Sequence, residues 1–224
     1  MTPLSPSEKA RLLEQMRRVS VPPRRIVRVR EWIVLPVGVI VAATLYFALN
    51  GPEHGSGRPT WLYAAEALTW VAVAALSMVG ALGHGTQSSW QPRGVLLAVA
   101  LGAPAVLFAA MCALGAAAEP HMAVAGVDAP RGIKCLELTL AAAVFPLMAL
   151  LHLRRESDPV HPAFTGAALG SASGASAGVM VEFWCPVATT AHIALGHVLP
   201  ILVLSALGAL LGARALAMPR IGRS

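Results

Sequence analysis

The chain has 224 residues, of which 56% are hydrophobic and only 12% charged, with a mean hydropathy of +0.67 and a formal net charge of +6. A soluble domain carries about 25% charged residues, so half of the polar surface that such a domain needs is missing. Runs of about 20 apolar residues, the length that crosses a bilayer core, recur along the chain and make it a polytopic, all-α membrane protein.

Residues 1–31 form the one sizeable polar segment. Ser5-Pro6-Ser7-Glu8 fits a capping box, with proline at the first helical position and an acid three residues after the cap. Leu12, Leu13, Met16 and Val19 then fall near one face, against Lys9, Arg11, Glu14, Arg17 and Arg18. The pattern predicts an amphipathic helix of about 14 residues, stopped by Val21-Pro22-Pro23. A helix that short is marginal alone and needs a partner for its apolar face. With eight Lys/Arg and three acidic residues the segment is too polar for a cleavable signal peptide.

Six spans are expected next, at 32–49, 61–82, 94–115, 136–153, 162–181 and 193–212. They make a transmembrane domain over 32–217, followed by a short tail at 218–224. Pro36, Pro104, Pro146 and Pro200 fall inside spans, which bilayer helices tolerate because neighbours satisfy the freed backbone groups. The tryptophans lie mostly near the proposed ends, as interfacial aromatics do. Orientation follows from the basic residues. Fourteen Lys/Arg fall in the N-terminal segment, near Arg93, at Arg154-Arg155 and in the C-terminal tail, whereas the alternate side has only Arg58, Arg131 and Lys134. The positive-inside rule then puts both termini in the cytoplasm.

The fifth span is apolar but built almost wholly of small residues, with Gly166, Gly170, Gly174 and Gly178 at a four-residue spacing. Such a strip lets neighbouring helices approach to backbone contact. The residues after it concentrate Glu182, Trp184, Cys185, His192 and His197 at a membrane boundary. On the expected topology, Cys135 and Cys185 lie on the non-cytoplasmic side, where an oxidising envelope permits a disulfide or redox role. Cys135, Cys185, His192 and His197 are therefore candidates for a redox or sensing element. Their ligand types would suit a metal, but their spacing matches no metal motif, and the sequence assigns neither a metal nor a cofactor. Cys112 and Glu66 read most simply as packing and hydrogen-bonding residues inside their helices.

No phosphate-binding loop, nucleophile elbow, zinc-protease motif or dinucleotide fingerprint occurs, and no enzyme is expected. No acid–base chain runs through the membrane midplane as a pump would need. A small transporter or channel, or a thiol-redox membrane protein using the outward Cys/His/Glu residues, are the competing classes. The basic N-terminus could rest on anionic lipid, and direct binding to nucleic acid is not expected.

Six spans, a short cytoplasmic N-terminus, a cysteine opening the fourth span (Cys135) and a Cys-Pro after a small-residue fifth span (Cys185-Pro186) resemble the NrsF-type membrane anti-sigma factors. The stretch HIALGHVLPILVLSALGALLGARAL at 192–216 is similar to that family's last span, and the resemblance covers roughly residues 30–217. Within the family the chain looks most like the light-responsive carotenoid regulators of bacterial inner membranes. The resemblance implies that an extracytoplasmic-function sigma factor is held at the membrane until a stimulus, here light acting through singlet oxygen, inactivates the anchor. Some relatives respond instead to metals through paired outer cysteines, which would map onto Cys135 and Cys185. Sequestration needs a cytoplasmic binding site, and residues 5–20 carry the apolar face for it. Leu12, Leu13 and Met16 would fill a groove on the partner, while Arg11, Arg17, Arg18, Arg24 and Arg25 would meet its acidic residues.

Overall fold

The computed structural model describes residues 59–82, 92–118, 129–155, 160–185, 187 and 189–216, together with the single positions Ser5, Thr44 and Ala48. The N-terminal docking residues Leu12, Leu13, Met16, Arg11, Arg17, Arg18, Arg24 and Arg25 lie outside the described residues, as does most of the first expected span. Every element among the described residues is helical. In chain order these are α1 (Thr60–Leu82), α2 (Arg93–Ala118), α3 (Ala129–Arg154), α4 (Pro162–Glu182) and α5 (Thr190–Ala215).

Of the six spans expected, four described helices (α1, α2, α3 and α5) are long and apolar enough to cross a membrane. Their surfaces explain why. Leu68, Leu76, Leu101, Val106, Met148 and Leu210 are each more than half exposed, and a row of exposed large aliphatic side chains is stable only against lipid. The start of α3 departs from the expected span at 136. The helix begins seven residues earlier, because Pro130 suits a first turn and Ile133, Lys134 and Leu136 are compatible with a helix past the apolar boundary. That extra length carries Cys135.

α4 has the length of a span at 21 residues but is not among those four helices. Fifteen of its residues are buried, among them Gly166, Ala168, Gly170, Ala172, Ala175 and Gly178, so it is the central post of the bundle. It packs on α5, α1, α3 and the first half of α2. Small residues supply little hydropathy, and a helix enclosed by protein needs little.

The glycine strip is divided between two neighbours. A Cβ on Gly166 would strike the backbone of Gly208 and Gly212; one on Gly170 would strike Leu204 and Ser205; one on Gly174 would meet Ile201 and Leu204. All of these belong to α5, whose own Gly208 and Gly212 answer Gly166 from the other side. Gly178 instead faces the ring of Trp70 on α1. The helix geometry accounts for this change of partner. Residues four apart advance ~400°, so each step drifts ~40° and three steps carry the strip ~120° around the helix.

Proline and serine cooperate between helices. Pro104 has no N–H, so a carbonyl one turn before it loses its donor. α2 loosens into a π turn at Ala98–Gly102 just upstream, and two serines from other helices take over. Ser171 Oγ donates to the Val99 carbonyl at 3.1 Å and Ser205 Oγ to the Ala100 carbonyl at 3.4 Å. Ser173 Oγ donates to the Ala143 carbonyl of α3 at 2.7 Å, near Pro146.

Successive helices alternate in direction, which gives the bundle two distinct ends. One gathers Leu82, Arg93, Arg154 and His161, where Arg154 donates to the Ala81 carbonyl at 3.4 Å and Arg93 Nε lies 3.3 Å from His161 Nε2. The other gathers Tyr63, Cys135, Glu182, Cys185 and His192. The site lies there.

Candidate functional site: a buried thiol and imidazole cluster

Three segments deliver the cluster. Cys135 comes from the second turn of α3, Cys185 from the connection after α4, and His192 and His197 from the start of α5. All four are buried, and their sulfur and ring nitrogen atoms lie within 4.8 Å of one another. Cys185 Sγ is 3.0 Å from His192 Nε2. No disulfide joins the cysteines. The four residues that the sequence singled out one by one are thus a single constellation. Their separation in sequence carried no metal motif because three different segments supply them.

The two histidines are brought together by a break in helix regularity. At ~100° per residue, positions five apart on a regular α-helix point ~140° away from each other. Between Ile193 and Val198, however, α5 is wound as a π turn, and the rings of His192 and His197 sit 5.3 Å apart between centroids. The turn lies immediately before Pro200, whose missing N–H removes the α-type bond to Gly196. Insertions of this type occur frequently at functional sites. The same turn brings Gly196 against α3, where an added Cβ would lie 3.0 Å from Cys135 Cβ and 3.2 Å from the Gly132 carbonyl. A side chain at 196 would therefore push the histidines off the cysteine.

A polar wall closes the cluster toward α1. Trp70, fully buried, donates from Nε1 to Glu182 Oε2 at 3.0 Å and lies 5.7 Å from the His197 ring. Glu66, one turn before Trp70, is fully buried too. On the opposite flank the Lys134 ammonium sits 4.3 Å from the centre of the Trp184 ring, a cation–π contact that covers Cys135 and Cys185 together with Met180 and Val181. The Cys185 thiol is held well below its ordinary range, first by its hydrogen bond with Cys135 and then by His192 and His197, which together outweigh the opposing effect of burial. Glu137 is exposed and Cys112 half-buried on α2, and neither belongs to the cluster.

Sequence reasoning placed the cysteines and histidines at one depth but missed three supports. The tryptophan pattern marks Trp70 as an interfacial aromatic, Glu182 stands among the outward Cys/His/Glu residues with no partner assigned, and nothing in the sequence singles out Gly196. Pro200 was the available signal, since a proline eight residues after His192 predicts a disturbed register where the histidines stand.

Four described helices long and apolar enough to cross a membrane, with a buried thiol–imidazole cluster at one end of the bundle, are consistent with a membrane protein. Its family is more definite: the chain belongs to the NrsF family, described as negative regulator of sigma F, whose family model matches residues 16–217. No curated protein and no solved structure matches it.

Proposed function

We propose that the protein is a bacterial inner-membrane anti-sigma factor that holds an extracytoplasmic-function sigma factor through residues 1–31 and releases it on a stimulus. The observation that carries this reading is the family match over 16–217, nearly the whole chain. The distribution of Lys and Arg supports six spans with both termini in the cytoplasm. In that topology Arg93, Arg154 and Arg155 share a side with the N-terminal segment, and the thiol–imidazole cluster faces the other way.

The segment's apolar residues Leu12, Leu13 and Met16 offer a helix-in-groove contact. Its arginines steer an acidic partner. The output is binding, not catalysis. The finer reading is a CarR-like regulator of carotenoid genes, with a CarQ-like sigma factor and light-generated singlet oxygen as the stimulus. It draws on the likeness of 192–216 to the last span of such proteins, and on oxidisable thiol and imidazole side chains gathered at one place.

Deletion of residues 2–25 tests the output. The truncated protein is expected in the membrane at its normal level, with the sigma factor no longer recovered alongside it in a pull-down from solubilised membranes. If the truncated chain still retains the sigma factor, the assignment of the N-terminus is wrong. If the intact chain captures none, so is the anti-sigma reading.

A further inference from the structure

We propose that Cys135, Cys185, His192 and His197 hold one resident divalent ion of the zinc class, a closed four-ligand site that ties α3, the α4–α5 connection and α5 together. The ion belongs to the resting protein; it is a lock, not an incoming signal.

The donor set comes first. Two thiolates and two imidazoles are a ligand set of structural tetrahedral zinc, and four protein ligands leave no position open for water or substrate. Bonds of ~2.3 Å to sulfur and ~2.0–2.1 Å to nitrogen imply ligand–ligand separations of roughly 3.3–3.8 Å in a tetrahedron. The four atoms already lie within 4.8 Å of one another, with one sulfur–nitrogen pair at 3.0 Å. Closing the site needs side-chain adjustment of about an ångström and no movement of helices.

Burial narrows the choice of ion. Charge in a low-dielectric interior is costly unless compensated. Two thiolates with a divalent cation and two neutral imidazoles sum to zero, whereas a monovalent copper would leave one negative charge near the buried Glu182. Oxygen-seeking magnesium or calcium is excluded by the donor types. His192 is fully buried and turns its Nε2 to the Cys185 sulfur at 3.0 Å, so a ligand nitrogen already faces a ligand sulfur in the protein interior. The π turn before Pro200 and the bare Cα of Gly196 within it both serve to bring these donors together.

Metal content, measured on the full chain purified from membranes in mild detergent without chelator, tests the proposal. One zinc per chain is expected, falling to background in Cys185→Ser and His197→Ala and unchanged in Cys112→Ser. Exchange with Co²⁺ should give the intense visible bands and thiolate charge-transfer absorption of a tetrahedral mixed sulfur–nitrogen site. Because ligand variants can fail to fold, zinc X-ray absorption on the unaltered protein supplies the deciding measurement. A shell of two sulfurs and two nitrogens supports the site, and an oxygen/nitrogen-only shell overturns it.

Chelation should raise the number of thiols that react with an aromatic disulfide reagent from one, Cys112, to three. No bound metal, or three reactive thiols before chelation, overturns the proposal. None of these readouts involves the sigma factor, so failure here leaves the anti-sigma reading standing.

Discussion

Gly170→Val tests the backbone contact between α4 and α5 most directly. A Cβ at this position would lie 2.6 Å from the Leu204 carbonyl carbon and 3.0 Å from Ser205 Cα, where ordinary contacts are 3.4–4 Å. Those atoms are main chain and cannot rotate aside, so α5 must retreat by roughly 1 Å. A gap of that size forfeits a quarter to a half of the dispersion energy of each contact it opens, and overpacking of this kind costs about 1–3 kcal/mol. Helix propensity returns no more than ~0.5 kcal/mol of that. The net loss is about 2 kcal/mol, which for a chain of this size lowers Tm by roughly 4–8 °C. Gly102→Val is the matched control, because no described atom lies within 4 Å of its added Cβ, and it should hold or slightly raise Tm. Thermal unfolding of the detergent-solubilised proteins, followed by tryptophan fluorescence, compares the two. Equal effects from both variants, or none from Gly170→Val, would refute the claim that α4 and α5 touch along their backbones.

Trp70→Phe deletes the donor to Glu182 and also shrinks the ring that fills the space over Gly178, so it should cost about 1–3 kcal/mol for the lost hydrogen bond plus a cavity penalty, read as a drop in Tm with membrane insertion unchanged. Ser171→Ala and Ser205→Ala should each cost ~0.6 kcal/mol, the average for a membrane helix hydrogen bond. Repeating both in a Pro104→Ala background should shrink the penalty of one of them, because the single restored N–H can satisfy one of the two carbonyls. A double-mutant cycle with no coupling would show that the serines do not act for the proline.

Helix positions were legible in the sequence because large aliphatic residues facing lipid dominate hydropathy, and α1, α2, α3 and α5 are covered with them. The start of α3 was not, because hydropathy registers the end of the apolar run, while the helix itself continues through Arg131 and Lys134. The four-residue glycine period announced close packing, but not that Gly178 would turn from α5 to α1. That outcome depends on the mismatch between a period of four and a helix of 3.6 residues per turn. The cluster was legible as residue types and invisible as a site. Cys135 and Cys185 are fifty residues apart, and the two histidines are five apart, a spacing that a regular helix would turn apart. Only a register defect joins them, and the sequence marks that defect solely by Pro200.

α5 connects the two halves of the molecule. Its first two turns carry His192 and His197, and its later turns carry Leu204, Gly208 and Gly212 against the glycines of α4. From Gly166 to Gly174 that contact is mainly main chain on main chain, so there are few flexible side chains to absorb a displacement. Close-packed interfaces of this kind shift between discrete arrangements rather than deforming gradually. On the proposed reading, a reagent that breaks the thiol–imidazole cluster frees the first turns of α5 from α3, and the stiff α4–α5 contact conveys the movement along the bundle. The end it reaches is the one at which Arg154 binds the Ala81 carbonyl and Arg93 meets His161. In the proposed topology that end faces the same compartment as the N-terminal segment. A stimulus on one side of the membrane can therefore alter a binding surface on the other without crossing the bilayer.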